Sequence, residues 1–141
     1  MVKVITVGGA VRDITFYLEE GKVISNRRKS IYSKLLAIPL GKKVYLRQAY
    51  FSCGGGATNV AVSLANLGIS VAPIIRVGQD PRGQIIIDDL KKKGILTKLI
   101  QTDRQLSTGL SFVIYPPQRL KQDRTILSYR GANDELKINQ Q

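Results

Sequence analysis

Cys53-Gly54-Gly55-Gly56-Ala57-Thr58-Asn59-Val60-Ala61-Val62-Ser63-Leu64-Ala65-Asn66-Leu67-Gly68 is a glycine turn that runs straight into a helical pattern. Val60, Leu64 and Leu67 recur at i, i+4 and i+7 beside small Ala61 and Ala65, which predicts one apolar helix face. Gly68 is a natural helix stop. Glycines let backbone approach a ligand closely, and the first turn of a helix offers N–H groups with no partner inside it. That combination suits oxygen-rich ligands, either phosphates or sugar hydroxyls. It suits equally a tight strand-to-helix turn with Thr58 or Asn59 as the cap. No Gly-Lys-Ser/Thr follows, so the turn is not a Walker loop, and its spacing is not the dinucleotide G-x-G-x-x-G.

Outward from this turn, Val2 to Val7 reads as a strand buried on both faces, ended by Gly8-Gly9. Ile14 to Leu18 and Val23-Ile24 flank Glu19-Glu20-Gly21-Lys22, which predicts a hairpin. Residues 25–43 read as irregular and basic, and Val44 to Phe51 as an aromatic strand. After Gly68, Val71 to Val77 predicts a buried strand, and Asp80-Pro81 starts a second helix closed by Gly94. Thr97 to Ile100 reads as extended, and Thr108 to Tyr115 with Arg124 to Tyr129 as a second hairpin. Strands alternating with helices argue for a parallel α/β sheet, so the hairpins are expected in a separate small sheet. With only two strand-helix units, the sequence reads as cut, and such a short sheet would expose apolar edges.

Composition narrows the function classes. The chain has 141 residues, 43% hydrophobic and 23% charged, which is the range of a globular domain. No apolar run approaches the roughly 20 residues of a membrane-spanning helix. The N-terminal apolar stretch is too short for a signal peptide, and the lone Cys53 fits a reducing compartment; the expectation is cytoplasmic, with no membrane partner. One cysteine and no histidine argue against a zinc site, and no metal site is expected. The net charge of +12 leaves a second reading open, a non-catalytic basic binding module for nucleic acid or a partner protein. Because the basic residues are scattered and no recognition motif accompanies them, no nucleic acid is expected. Aromatic Tyr45, Tyr50 and Phe51 invite strand pairing, and a homodimer through that sheet is the association left open.

The run from Cys53 to Gly68 closely resembles the first signature of PfkB-family (ribokinase-like) carbohydrate kinases: a Gly-Gly pair, an asparagine four residues later, and a small-residue helix closed by Leu-Gly. Three further segments are similar in the right order. Val7-Gly8-Gly9-Ala10-Val11-Arg12-Asp13 resembles the opening strand with its trailing aspartate, and Val77 to Gly83, running on to Lys93-Gly94-Ile95, the second strand-helix unit. Ser107 to Val113, followed by Asp123 to Ile126 and Gly131-Ala132-Asn133, resembles the later lid hairpin.

The resemblance implies a ribokinase-like fold, a doubly wound, mostly parallel α/β sheet with a small β-sheet lid. Residues 1–141 would be its N-terminal part, with lid segments at about 14–52 and 107–130. It implies ATP-dependent phosphorylation of a sugar or nucleoside hydroxyl. Asp13 would bind sugar hydroxyls, Gly54 and Gly55 would present backbone to the sugar, and Asn59 would bond a hydroxyl from the helix start. Ser111, alternating with Val113 on a lid strand, would form part of the sugar-facing floor, and Asp80 would cap a helix. The family's second signature, a Gly-Ala-Gly-Asp-type turn supplying the anion hole and catalytic aspartate, has no match here; Gly131-Ala132-Asn133 is not that turn. No catalytic residue and no ATP site are therefore expected in this chain, while the intact enzyme would use ATP and Mg²⁺. Cys53 stands where many relatives have proline.

Overall fold

Val4, Ile5, Thr6 and Val7 pair in parallel with Val71, Ala72, Pro73 and Ile74, and the two strands they form, β1 (Val4–Val7) and β6 (Val71–Ile74), centre the first part of the fold. The computed structural model describes residues 2–25, 34–117 and 123–138. Between and after these strands come β2 (Val11–Leu18), β3 (Lys22–Ser25), β4 (Lys34–Ala37), β5 (Leu46–Gly54) and helix α1 (Gly56–Asn66). Then follow β7 (Arg76–Gly78), helix α2 (Pro81–Lys92), β8 (Gln101–Asp103), β9 (Gly109–Tyr115), β10 (Thr125–Tyr129) and a 3-10 helix, Gly131–Glu135. β7 and β8 form a second parallel pair, and a four-stranded sheet runs in the order β10-β9-β2-β5. No helix among the described residues is long and apolar enough to cross a membrane.

The chain divides into two compact units, and the division falls within β2, β5, β9 and β10. The first unit comprises 1–13, 52–111 and 128–141. Its core is Ala10, Ala57, Ala61, Val71, Ile75, Val77, Ile86, Leu90 and Ile95. α2 contributes Ile86 and Leu90, four apart and fully buried, and Asp80 caps the helix by accepting from the Gly83 N–H at 2.9 Å. The second unit comprises 14–51 and 112–127. There Phe16 stacks on Phe112 and Tyr17 on Tyr115, with Tyr50 meeting the Tyr17 ring edge-on.

Several sequence expectations are corrected. The Val2–Val7 stretch is not buried on both faces: Ile5 is 52% exposed and Val7 48%, while Thr6 between them is buried and donates its hydroxyl to Ala57 O at 3.0 Å. α1 packs on one side of β1, so alternate residues part company. α1 itself buries Ala57, Thr58 and Ala61; of the expected Val60–Leu64–Leu67 stripe, Leu64 packs half-buried against the core, while Val60 is 51% exposed and Leu67 76%. Small side chains let the helix backbone approach the strand, and that contact outweighs the larger apolar residues. The expected hairpin across Glu19–Lys22 does not form. β3 pairs antiparallel with β4, which lies inside the stretch read as irregular, and the Glu19 N–H donates to Tyr45 O at 3.1 Å. Of that stretch, residues 26–33 lie outside the described residues. Val71–Val77 is two strands that part at Ile75, and the extension expected at Thr97–Ile100 begins only at Gln101.

Candidate functional site

Asp13 sits on β2, whose neighbours in the sheet are β9 on one side and β5 on the other. Each neighbour brings a predicted site residue to it. Ser111 of β9 is buried, and its side chain interacts with the Asp13 carboxylate, drawing its pKa down. Gly54, the last residue of β5, presents a bare Cα, and a Cβ there would collide with Asp13 Oδ2. Burial pushes the Asp13 carboxyl above its ordinary value, against the opposing pull of the Ser111 hydrogen bond and the Arg12 charge. All of these groups belong to the first unit.

Gly55 follows as the N-cap of α1, with φ +105°. That conformation excludes ordinary side chains, and so does space, because a Cβ would collide with Gly9 O. A glycine offers no capping side chain, and Thr58 does not substitute for one. Its hydroxyl donates backward to Gly54 O at 2.6 Å and Gly55 O at 2.9 Å, so it ties down the glycine turn instead of satisfying an N–H. Asn59 is exposed in the first turn, its N–H donating to Gly55 O at 2.9 Å, and it is not among the groups that act on Asp13. On the other face of β2, Arg12 donates to Cys53 Sγ at 3.5 Å, and burial raises the thiol's pKa.

Two joints that hold this site were not identified from sequence. The first is Thr108, fully buried one residue before β9. Its hydroxyl accepts from the Gly78 N–H at 2.9 Å and donates to Asp80 Oδ1 at 2.7 Å, while its own N–H donates to Asp80 Oδ2 at 2.8 Å. Asp80 therefore does more than cap α2; it fastens β9 to the helix start. The second is Asn133, whose amide brackets Ala10, bonding its N–H at 2.8 Å and its carbonyl at 2.9 Å. Asp80-Pro81 signalled the cap, but nothing local in the sequence signals partners 28 and 123 residues away. Nearby, Asp103 bonds the Gln105 and Leu106 N–H groups and pairs with Arg76 at 2.7 Å.

Among protein families, residues 3–141 match the description pfkB family carbohydrate kinase. The 5-dehydro-2-deoxygluconokinase of Geobacillus thermodenitrificans (strain NG80-2) is 39% identical over 87 residues, covering 60% of this chain and 25% of that protein. The structure of Halothermothrix orenii fructokinase superposes with a TM-score of 0.69 at 25% identity, over 99% of this chain and 41% of the fructokinase. Arabidopsis thaliana ribokinase, solved with ribose and ATP, gives a TM-score of 0.70 at 21% identity over 92% of this chain and 36% of its own. The fold is thus ribokinase-like α/β, and the chain spans a quarter of the length of the curated relative it matches.

Proposed function

Because the chain belongs to the pfkB family of carbohydrate kinases, we propose that it carries the sugar-gripping part of an enzyme that phosphorylates a sugar or nucleoside hydroxyl at the expense of ATP. The observation that carries this reading is the meeting of Asp13, Ser111 and Gly54 on three adjacent strands, next to the glycine turn that opens α1. An ionised carboxylate accepts about four hydrogen bonds. Even with Ser111 drawing on part of it, Asp13 keeps enough capacity to hold two neighbouring sugar hydroxyls. Gly54 leaves the volume that Asp13 occupies, Gly55 brings backbone close, and Asn59 offers an amide donor and acceptor from the first turn. The segments at about 14–52 and 107–130 act in this reading as the family's lid, which excludes water.

ATP supplies the phosphoryl group, and this chain's residues bind and orient the hydroxyl that receives it. Among the described residues no group of three or more acidic or cysteine side chains stands together as a cation site, so none is assigned to Mg²⁺. In this reading the donor nucleotide, its metal and the catalytic base belong to the remainder of the intact enzyme. The test is a titration of the isotope-labelled chain with D-ribose and D-fructose, followed by NMR. The expected result is movement of the Gly54, Gly55, Asn59 and Ser111 amides with one of them, abolished by Asp13→Ala. Unaltered binding to the Asp13→Ala chain, or no response from those amides to either sugar, would overturn the reading.

A further inference from the structure

We propose that Asn133 is a positioning residue for the sugar grip: its side-chain amide sets the backbone that carries Asp13 and, from the other side, the start of the strand that carries Ser111. The inference rests on the reading of Asp13 given above, though its geometry stands without it. β1 ends at Val7 and β2 begins at Val11, so the intervening Gly8-Gly9-Ala10 lies between the two strands. Ala10 is nevertheless fully buried, and a buried N–H or carbonyl without a partner is costly. Asn133 supplies both partners from one planar group. Oδ1 accepts the Ala10 N–H at 2.8 Å, and Nδ2 donates to Ala10 O at 2.9 Å and to Arg130 O at 2.8 Å.

Only an amide side chain offers a donor and an acceptor in one plane at that reach; aspartate keeps the acceptor and loses the donors. Two bonds to a single residue fix its tilt as well as its position, three residues before Asp13. The same amide also faces β9. A Cβ on Gly109, two residues before Ser111, would collide with Asn133 Nδ2. Asn133 is itself anchored. Ala132 N–H donates to Ser107 O at 2.9 Å, and Gly131, at φ +51°, lies so close that a Cβ would collide with the same Ser107 O. One side chain therefore registers the starts of β2 and β9, the strands that bring Asp13 and Ser111 together.

The test compares wild type, Asn133→Ala and Asn133→Asp by NMR, reading Ala10 amide exchange, the Asp13 carboxyl carbon resonance, D-ribose affinity, and the Ile86 and Leu90 methyls as core reporters. The expected result for Asn133→Ala is Ala10 exchange about tenfold faster, a displaced Asp13 resonance and weaker ribose binding, with the core methyls unmoved. Asn133→Asp, which keeps one of the two Ala10 bonds, should fall between. Unchanged Ala10 exchange and Asp13 resonance would overturn the proposal, as would equal loss of the core methyl signals in both variants, which marks a role in the fold at large. If Ala10 and Asp13 respond but wild type binds neither D-ribose nor D-fructose, positioning stands and the sugar reading is what fails.

Discussion

Gly54 and Asp13 share one space: the side chain that any other residue would carry at position 54 is replaced, in this fold, by the carboxylate Oδ2 of Asp13. The first two residues of the glycine run thus have distinct reasons to be glycine. Gly55 needs a left-handed backbone and room beside Gly9, whereas Gly54 needs only room, and the group claiming it is the carboxylate of Asp13.

Gly54→Ala is accordingly expected to displace Asp13 and to destabilise the chain by about 1–3 kcal/mol, the usual range for overpacking a filled site. The steric origin is open to a direct check. In an Asp13→Ala background the same substitution should cost much less, so urea midpoints of the two single variants and the double variant should be strongly non-additive. Additive losses would mean that the strain at position 54 lies elsewhere.

Thr108→Val keeps the shape of a fully buried side chain and removes its hydroxyl, leaving the Gly78 N–H and Asp80 Oδ1 each short of a partner. The expected loss is about 1–3 kcal/mol in urea unfolding. Thr108→Ser retains the hydroxyl and should lose distinctly less. Equal losses for the two variants would assign the effect to packing of the methyl group instead.

Asp80 supplies a pH signature. Burial pushes its carboxyl up, but hydrogen bonds from the Gly83 and Thr108 N–H groups, the Thr108 hydroxyl and Arg82 outweigh it and hold the pKa at about 2, below the ordinary 3.8. A carboxylate depressed on folding stabilises above its unfolded pKa and loses that contribution as pH falls through the folded value. Asp103, held at about 2 chiefly by the Leu106 and Gln105 N–H groups and then by Arg76, acts in the same direction. Asp80→Ala should therefore cost about 1–2 kcal/mol at neutral pH, as for loss of a helix cap. The gap to wild type should narrow between about pH 4 and about pH 2. A gap that is constant with pH in thermal melts would contradict this account.

What could be read from the sequence was mostly local. The glycine turn, α1 after it, and the Asp80-Pro81 start of α2 depend on residues within one or two turns, and all three stand as expected. Choice of partner is not local. Glu19–Lys22 has the composition of a hairpin turn, yet β3 pairs with β4, because the bonds that decide it come from Lys34–Ala37 and Tyr45. Periodicity marks a face without saying whether anything covers it, which is why Val60 and Leu67 stand exposed while Ala57 and Ala61 pack. Asp13 was legible as a carboxylate past the end of the first strand, where ligands collect in open α/β sheets, but its place on β2 beside Gly54 was not. Asn133 fell within a segment of the resemblance, but its role did not show there, because its partner is 123 residues away.

Asp13 itself should work against the fold that displays it. Its pKa is raised, first by burial, so the folded chain holds its proton more tightly than the unfolded one. Below the ordinary value of 3.8 both states are protonated and nothing is lost. As pH rises from there, the unfolded chain ionises first, stability declines until the folded carboxyl has also ionised, and the deficit then persists to neutral pH. Asp13→Asn has the same shape, keeps a carbonyl oxygen as acceptor, and carries no charge to desolvate. It should melt at a higher temperature than wild type at pH 7 and at the same temperature near pH 3, while binding sugar more weakly at neutral pH. Stability gained together with binding lost is the pattern of a residue kept for function. A lower melting temperature for Asp13→Asn at pH 7 would instead make the carboxylate part of what holds the sheet together.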